Sequence, residues 1–573
     1  MCAGISLGAQ PTARVAAIAD HRDAANRLRP VDPARRLSVS VSLRHDARGI
    51  GARLSRASQR TTSLRSIVRR HGARTRDITT VVRWARAKGL TARPGPLRTR
   101  VIVRGPAGRL SRAFGVPLHH YRAPGGRTYV AAPKPIRVPR AIAGAATGIA
   151  GLDHVPAPVR VSPAAGVTGG DPAPPSAWSG CSTTPYADLS ASRQGAPMSP
   201  FGIATAYGFA GIGNGASYPP QTVAIYEVDQ TYSAADLAPM QAACRFGGGD
   251  SPVAVRAVNL PGAVTRAGVE ANLDAQWAAS LAPAGTTVVV INVSGSSQTP
   301  WADFLESASA LPDLTAVSIS YGMAEMLIES RLTIPPAQFS QANTMFQMLA
   351  SSGVSIFAAS GDQGSMGPPA DACLGAFAQF GLQGYPGVNW PASAPGVTAV
   401  GGTMWNSTTR TTADETAWSE RAADTGMGWP CLVAGGGGGQ SAIFARPAWQ
   451  AAAGAGIPGV RRLIPDVALL AGQPGYFTVN NGVAAPTEGT SASAPVLASA
   501  VLRINAERLA SGRRPIGYLS PLLYGPLAAA IQDVTVGSTD IFGNGYCCSA
   551  GPGFDMATGL GAPDIAQWPG LIP

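Results

Sequence analysis

Residues 286–295 read TTVVVINVSG, a run whose side chains are apolar on both faces of the strand that it predicts. The segment before it, AGVEANLDAQWAASLA at 267–282, can form a helix. Similar strand-like runs alternate with longer, helix-compatible segments at 222–228, 314–322, 353–360 and 396–402. Strands buried on both faces and separated by helices are typical of a parallel sheet covered on two sides. The sequence therefore predicts one α/β domain over residues 181–573.

The first 154 residues carry a different pattern. Strand-like runs begin at Arg36 (RLSVSVSLRH) and Thr99 (TRVIVRG), and two segments between them, 50–72 and 77–89, predict helices. A short helix, GRLSRAFG, and a hairpin, PLHHYRAPGGRTYVA, follow. Strands interleaved with helices in this order predict a small α+β sandwich over residues 1–154.

A segment rich in proline and glycine joins the two parts. Residues 155–180 contain six Pro and four Gly and show no apolar period. Such a segment is typical of an exposed linker, and exposed linkers are preferred sites of proteolytic cleavage. We therefore expect a cut within 155–180 to remove the N-terminal part.

Charge divides the chain at the same place. Residues 1–160 carry 31 Lys and Arg against six Asp, whereas residues 161–573 carry 14 Arg against 26 acids. Two parts of opposite charge attract at neutral pH, and the attraction fades where carboxylates protonate, below about pH 4 to 5. A basic arm for nucleic acid is the alternative, but few aromatic residues lie among these arginines, so we expect no nucleic-acid partner.

The distribution of histidine restricts the possible chemistry. All six His and both Lys lie within the first 154 residues. An active site built only from residues after 160 therefore has no imidazole or amine side chain. It cannot be a Ser-His-Asp triad, a Ser-Lys dyad or a His-ligated zinc site. Carboxylates are the bases that remain.

The cysteines suggest export, although no plain signal peptide or membrane span is visible in the sequence. Cys2 stands apart, and six cysteines could form three disulfides in an exported protein: Cys181, Cys244, Cys373, Cys431, Cys547 and Cys548. Their pairing cannot be read from the sequence, and adjacent cysteines would make a strained link. Buried free thiols are the alternative interpretation.

The strongest local motif is EGTSASAP at 488–495. Small residues before Ser491 allow a tight turn, and VLASAVLRINAERLA after it predicts a helix, so Ser491 is expected at a helix N-terminus. There the helix dipole and free N–H groups favour developing negative charge, which suits a nucleophile. An ordinary serine cap is the alternative interpretation.

A second motif, GVEANLDAQW, places Glu270 and Asp274 four residues apart on one face of a predicted helix. Two carboxyl groups held this close raise the pKa of one of them and can share a proton. The spacing indicates an acid/base pair. Two acids on a solvated helix face are the alternative.

A third motif, GVSIFAASGDQGS, ends an apolar strand at Ser360 and places Asp362 on a turn flanked by glycines. A protonated carboxyl there could donate a hydrogen bond to an oxyanion, whereas an ionised one would repel it. The usefulness of Asp362 therefore depends on acid pH. A turn-forming aspartate is the alternative.

The fourth motif lies near the C-terminus, where Asp533 precedes Val534 and AGPGFDMATG brings Gly551, Gly553 and Asp555. Two carboxylates with glycine-freed backbone carbonyls make an all-oxygen set that suits Ca²⁺. Ordinary turn-forming Asp and Gly residues are the alternative.

Together these motifs resemble the sedolisin family of serine-carboxyl peptidases, including its kumamolisin-like bacterial members, which have an N-terminal prodomain. The resemblance covers residues 36–573 and rests on EANLD, SGDQG and GTSASAP in that order, with family-like blocks such as PASAPGVTAVGGT, RLIPDVALLA and, in the N-terminal part, VPRAIAGAATGIAGLDH. It implies a subtilisin-like α/β fold around a mainly parallel sheet flanked by helices, preceded by a ferredoxin-like α+β prodomain.

The resemblance also implies roles for single residues. Ser491 would be the nucleophile, Glu270 its general base, Asp274 the partner that orients Glu270, and Asp362 the protonated donor to the oxyanion. One structural Ca²⁺ would be held by the side chains and backbone oxygens of the C-terminal set: Asp533, Val534, Gly551, Gly553 and Asp555.

The implied function is a secreted serine-type endopeptidase that hydrolyses protein or peptide substrates through an acyl-enzyme. The prodomain would act as an intramolecular inhibitor, removed by autoproteolysis at low pH to leave a monomer. The missing histidine fits acid activity, because a carboxylate base is still ionised at about pH 4, provided that Asp362 has a pKa above that of the base. A tripeptidyl-peptidase of the same family, or a non-catalytic binding protein on the same fold, are the alternatives.

Overall fold

The computed structural model describes residues 26–55, 62–122, 128–134, 136–152, 197–246, 253–329, 334–365, 387–405, 414–420, 434–541, 545 and 547–573. The elements of the N-terminal unit are, in chain order, β1 (Arg27–Pro30), β2 (Arg36–Leu43), α1 (Ala47–Ser55), α2 (Leu64–His71), α3 (Thr75–Ala87), β3 (Thr91–Pro94), β4 (Arg100–Pro106), α4 (Ala107–Phe114), β5 (His119–Arg122), β6 (Thr128–Ala131) and β7 (Ala146–Ala150).

Four strands of the N-terminal unit form one antiparallel sheet in the order β3-β4-β2-β7. Along the chain they alternate with helices as β2, α1 to α3, β3, β4, α4 and β7. This confirms the α+β unit that the sequence predicted and is the ferredoxin-like arrangement that the family resemblance implied. Val39 and Val41 of β2 point into a core shared with Trp84 of α3 and Leu110 of α4. A second small sheet has the order β1-β5-β6.

The helix predicted over 50–72 is two helices, α1 and α2, with residues 56–61 outside the described part. The Ser63 hydroxyl accepts a hydrogen bond from Ser66 N at 3.4 Å and so caps the first turn of α2. Such a cap replaces the carbonyl partner that a continuous helix would supply. The apolar period alone did not reveal this boundary.

The larger unit contains the following elements: α5 (Pro200–Ala206), β8 (Gln221–Val228), α6 (Ala234–Cys244), β9 (Ala254–Asn259), α7 (Val269–Leu281), β10 (Thr286–Val293), α8 (Pro300–Ser309), β11 (Leu314–Ile319), β12 (Met323–Ala324), α9 (Glu325–Glu329), α10 (Pro336–Ser351), β13 (Ser355–Ala359), β14 (Asn389–Trp390), β15 (Thr398–Trp405), β16 (Glu415–Ala417), β17 (Ser419–Glu420), β18 (Ala434–Gly435), β19 (Gly439–Ala445), β20 (Arg461–Ile464), β21 (Val467–Leu470), β22 (Tyr476–Asn480), β23 (Val483–Thr487), α11 (Thr490–Ala510), α12 (Ser520–Leu523), β24 (Ile531–Gln532), β25 (Ala562–Pro563) and α13 (Trp568–Leu571).

An eight-stranded sheet forms the centre of this unit. Its strands follow the order β16-β15-β13-β11-β8-β10-β9, and β21 also pairs with β15. Every pairing in it is parallel except that of β15 with β16. The mainly parallel sheet flanked by helices is therefore confirmed.

Helices cover both faces of this sheet. Trp277 of α7 and Val501 of α11 share an apolar core with Ile225 of β8. Phe346 of α10 shares a different core with Tyr226, the next residue of β8. Because successive side chains of a strand point to opposite faces, both faces of β8 must be apolar, which is why the sequence shows no alternation there.

The N-terminal unit packs against the layer formed by α8 and α10. Ile50 of α1 and Ile67 of α2 belong to the same apolar cluster as Phe346 of α10. Beside this cluster, Arg100 of β4 is 2% exposed and donates hydrogen bonds to two acidic side chains of α8. The layer that carries α7 and α11 lies on the opposite face of the sheet.

Several predictions fall outside the described residues. The linker 155–180 does so, as do Cys2, Cys181, Cys373 and Cys431, so the domain boundaries and disulfide pairing stay predictions. The sulfur atoms of Cys547 and Cys548 lie within bonding distance of each other. Within the described part of the chain, no helix has both the length and the apolar character needed to cross a membrane.

Candidate active site

Ser491 lies in the first turn of α11, where the sequence placed it, and is fully buried. Its hydroxyl donates to Ser320 O over a long 3.4 Å. Gly489, just before the helix, has φ of 135°, and a Cβ there would lie 3.0 Å from Asp362 Oδ2. Glycine therefore lets the chain enter the helix close to Asp362.

Glu270 and Asp274 lie one turn apart on α7 and are both buried. The Ser320 hydroxyl is 2.9 and 2.8 Å from the two oxygens of Asp274, and 3.1 Å from Ser491 O. Ser320, at the end of β11, thus bridges the acid pair and the serine segment. The solvated-face alternative for this pair is wrong.

The two carboxyl groups of this pair hold protons more tightly than usual. Burial raises the pKa of Asp274 to about 8. Burial also raises the pKa of Glu270 well above its ordinary value, and the nearby charge of Asp274 adds to the effect. Proximity of the Ser491 hydroxyl lowers the pKa of Glu270. Within the described residues neither carboxyl oxygen of Glu270 has a hydrogen-bond partner, so the serine hydroxyl donates to Ser320 O and lies near Glu270 without bonding it.

Asp362 follows β13 on a buried turn, and its two oxygens have different surroundings. Oδ1 accepts hydrogen bonds from Thr490 N at 2.9 Å and from Thr490 Oγ1 at 2.7 Å. Among the described residues, Oδ2 has no hydrogen-bond partner, although it is buried. Burial raises the pKa of Asp362 to about 6, against the opposing hydrogen bonds from Thr490. Below about pH 6 this group is neutral and can donate from the free oxygen.

The structure thus brings the four predicted side chains together from three separate stretches of sequence. They are Ser491, Glu270, Asp274 and Asp362. They meet at the carboxyl ends of β11 and β13 and the facing ends of α7 and α11. A buried hydroxyl beside a carboxyl pair, with a third carboxyl group opposite, can support acyl transfer.

Comparison with known proteins assigns this chain to a family. Residues 24–155 match the family model described as "Pro-kumamolisin, activation domain". The chain is 31% identical to kumamolisin of Bacillus sp. (strain MN-32) over 565 residues, which is 93% of this chain and 91% of that protein. The chain belongs to the sedolisin family. It is a serine-type peptidase with an N-terminal activation domain.

Two further comparisons agree with membership of the sedolisin family. The chain is 32% identical over 381 residues to tripeptidyl-peptidase 1 of Canis lupus familiaris, covering 62% of this chain and 60% of that protein. A solved structure of Pseudomonas sedolisin (serine-carboxyl proteinase), complexed with two molecules of pseudo-iodotyrostatin, matches with a TM-score of 0.51 at 24% identity. It covers 66% of this chain and 98% of that chain, and it supports the fold.

Sequence reasoning missed a further acid in this sedolisin site. Glu227, near the end of β8, is fully buried, and its Oε2 accepts a hydrogen bond from the Tyr321 hydroxyl at 2.8 Å. Burial, followed by the charges of Asp274 and Glu270, raises its pKa well above the ordinary value. The available signal was an acid inside the apolar run TVAIYEV at 222–228.

The five residues predicted to hold calcium in this sedolisin also lie together. Gly553 N donates to Asp533 Oδ2 at 2.7 Å, and Gly551 N donates to Asp555 Oδ2 at 3.0 Å. The oxygen of Val534 lies 3.5 Å from the Thr558 hydroxyl, which also contacts Asp555.

Their chemistry fits a hard cation, because the available donors are carboxylate and backbone carbonyl oxygens. Within the described ranges, no three His, Cys, Asp or Glu side chains are arranged to hold a metal. An ion at this place would therefore depend on backbone oxygens beside the two carboxylates.

Proposed function

We propose that this sedolisin is an acid-active endopeptidase whose nucleophile is Ser491. The observation that carries the proposal is the burial of three carboxyl groups around this serine in a unit without histidine. Glu270 takes the hydroxyl proton as Ser491 attacks the substrate carbonyl carbon. Asp274, held by Ser320, orients Glu270, and neutral Asp362 donates a hydrogen bond to the developing oxyanion. Glu270 gives the serine proton to the departing amine, which leaves an acyl-enzyme. Water then attacks the acyl carbon and gives a proton to Glu270, which returns it to the Ser491 oxygen as the acid product leaves.

The scheme requires two different protonation states at the same pH. Glu270 has to be ionised while Asp362 keeps its proton. Burial and the charge of Asp274 raise the pKa of Glu270 well above its ordinary value, whereas the nearby hydroxyls of Ser491 and Ser320 oppose that rise. Ionising Glu270 at acid pH therefore costs free energy. Because Asp362 loses its proton near pH 6, turnover is expected to fall as the pH rises through that value.

The proposal is tested with the purified full chain at about pH 4 and at pH 7. We expect a two-piece product and cleavage of an N-acetylated peptide at the acid pH only. A tripeptidyl-peptidase, the alternative, needs a substrate with a free N-terminus. It would leave the acetylated peptide intact and release tripeptides from the same peptide without the acetyl group. Absence of both reactions would support the non-catalytic alternative.

We also propose that the activation domain is an inhibitory prodomain that acid releases. Arg100 of the prodomain donates to Asp303 at 2.8 Å and to Glu306 at 2.7 Å, which supports a charged clamp at neutral pH. Burial raises the pKa of Glu306, so this group holds its proton more tightly in the assembled chain than when exposed. By linkage, protonation of Glu306 does not drive the units apart, and another group has to supply the acid response.

The pKa of His45 is shifted in the direction that release of the prodomain by acid requires. The Nδ1–H of His45 donates a hydrogen bond to Leu43 O at 2.8 Å, and its Nε2 lies 2.9 Å from the Thr344 hydroxyl of the peptidase unit. Burial lowers its pKa below 6.5, against the raising effects of Leu43 O and Asp46. The contact between the two units is therefore intact above about pH 6.5. It weakens as the pH falls, because the His45 ring binds a proton more tightly when it is exposed in the released prodomain than when it is buried in the contact.

Replacing His45 by glutamine is expected to slow acid-triggered maturation several-fold, since glutamine can bond Thr344 but does not titrate in this range. The measurement is the rate of appearance of the two-piece product between pH 4 and 6. His120→Gln is the matched control, because His120 lies on β5 and makes no hydrogen bond to the described residues of the peptidase unit. Equal rates for His45→Gln and the unaltered chain would contradict the assignment.

We propose that Asp533, Val534, Gly551, Gly553 and Asp555 hold one structural calcium ion. Asp533→Asn, or a calcium chelator, is then expected to lower the thermal unfolding midpoint by several degrees, because an ion that binds only the folded chain stabilises it. Calorimetry with and without Ca²⁺ measures this. Asp313→Asn, at an exposed turn, should keep the response. If the thermal unfolding midpoint of the unaltered protein does not change with Ca²⁺, the site is refuted.

We further propose that the protein is secreted and that the mature enzyme is a monomer. The six cysteines of the larger unit support export, because disulfides form in oxidising compartments. Finding the mature chain in the culture medium, with the mass of one chain in solution, is the expected result.

A further inference from the structure

Thr490 connects the two segments that carry the nucleophile and the oxyanion donor. Its hydroxyl is fully buried, accepts a hydrogen bond from Gly361 N at 3.1 Å and donates to Asp362 Oδ1 at 2.7 Å. Its own backbone N–H donates to the same oxygen at 2.9 Å. Because Gly361 N–H occupies the hydroxyl oxygen, the hydroxyl hydrogen is directed to Asp362.

The other oxygen of Asp362 is free for chemistry. Oδ2 is buried and has no partner in the described part of the chain. A Cβ built on Gly489 would lie 3.0 Å from this oxygen and 3.6 Å from the Cβ of Ser491. Oδ2 therefore faces the segment that delivers the serine. A neutral carboxyl group has one hydrogen to place, and only one of its oxygens is turned to the reacting atoms.

We propose that Thr490 is a positioning residue that fixes the proton of Asp362 on Oδ2. The inference rests on the proposed role of Asp362 as donor to the oxyanion. If Oδ1 carried the hydrogen instead, the Thr490 hydroxyl would lose its acceptor. Oδ2 would then present lone pairs to the oxyanion and repel it. The threonine hydroxyl thus decides whether a neutral Asp362 stabilises or opposes the transition state.

The same contact tunes the titration of Asp362. Hydrogen bonds from Thr490 favour the ionised carboxylate and so hold its pKa down against burial. Glu270 on α7 is the charged group that faces Asp362, with Asp274 one turn beyond. On the other side, Asp362 O accepts from Gly435 N at 3.1 Å, and β18 carries no titratable side chain. Removing the hydroxyl is therefore expected to raise the pKa of Asp362.

Thr490→Val tests the proposal, because valine keeps the shape and removes the hydroxyl. We expect kcat to fall about tenfold or more with little change in KM. We also expect the upper pH limit of kcat/KM to move upward by about half to one unit. Thr490→Ser keeps the hydroxyl and is expected to restore most of kcat and the original limit. Thr398→Val is the control, since it removes a buried hydroxyl bonded to Ser520 Oγ at 3.0 Å.

A merely structural role for Thr490 would lower the thermal stability of Thr490→Val and leave the upper pH limit unmoved, and this result would overturn the proposal. If the valine variant does not fold, Thr490→Ala and Thr490→Ser give the same comparison. Failure of the proposed function has a different signature, namely turnover by Ser491→Ala. With that variant inactive and the pH limit of the threonine variants unchanged, the present inference alone fails.

Discussion

Replacing Ser491 by alanine is expected to lower kcat on the order of 10⁵-fold, because the attacking oxygen is lost and no acyl-enzyme can form. The buried carboxyl groups remain in place, so the variant should still fold and bind substrate. Initial rates on an N-acetylated peptide at about pH 4 measure the loss. The full chain carrying this substitution is also expected to remain uncut at acid pH.

Ser493→Ala is the matched control for this experiment. Ser493 lies two residues further along α11, is equally buried, and donates to Leu470 O at 2.8 Å rather than facing the acid pair. Its removal should cost about 1 kcal/mol of stability and leave turnover nearly unchanged. Comparable activity in the two variants would remove Ser491 from its assigned role.

Replacing Glu270 by glutamine is expected to lower kcat on the order of 10³-fold. Glutamine has nearly the same shape, but its amide cannot take the Ser491 proton, and the remaining acceptor is a backbone carbonyl at 3.4 Å. The measurement is kcat at saturating peptide across pH 3 to 6, so that a shifted optimum is not mistaken for lost activity.

The base assignment also predicts that the losses do not add. A chain carrying both Ser491→Ala and Glu270→Gln should be no slower than Ser491→Ala alone, because base and nucleophile act as one unit. Glu507→Gln serves as the control for loss of an acid, since Glu507 lies on α11 away from the pair and accepts from Gly213 N. Additive losses in the double variant would show that Glu270 acts elsewhere.

The structure brings together the site residues that the sequence singled out, and each of them is marked by its local surroundings in the sequence. Ser491 follows small residues at a helix start, Glu270 and Asp274 share one helix face, and Asp362 ends an apolar strand. Each of these patterns lies within one short, continuous stretch of sequence. The sequence did not identify Glu227, since a lone acid in an apolar strand has no local partner to indicate its use.

Contacts between distant segments could not be predicted from the sequence for the same reason. The hydrogen bonds of Thr490 with Asp362 join residues 128 positions apart. The contact between His45 and Thr344 spans 299 positions. The charge imbalance between the two units indicated an attraction, but it did not show that Arg100 supplies a buried contact. It also did not show that the pKa of His45 is shifted in the direction needed for release by acid.

The amino-acid sequence by itself determined the class of sheet, the kinds of groups available for catalysis and the order of the two units. Strands apolar on both faces require cover on both sides, and a unit without histidine must use carboxyl groups. Only the tertiary structure decided which oxygen of Asp362 is free and which histidine contacts the peptidase unit. Hydrophobic periods encode burial along one element, whereas ångström distances between elements are set by the packing of the whole core.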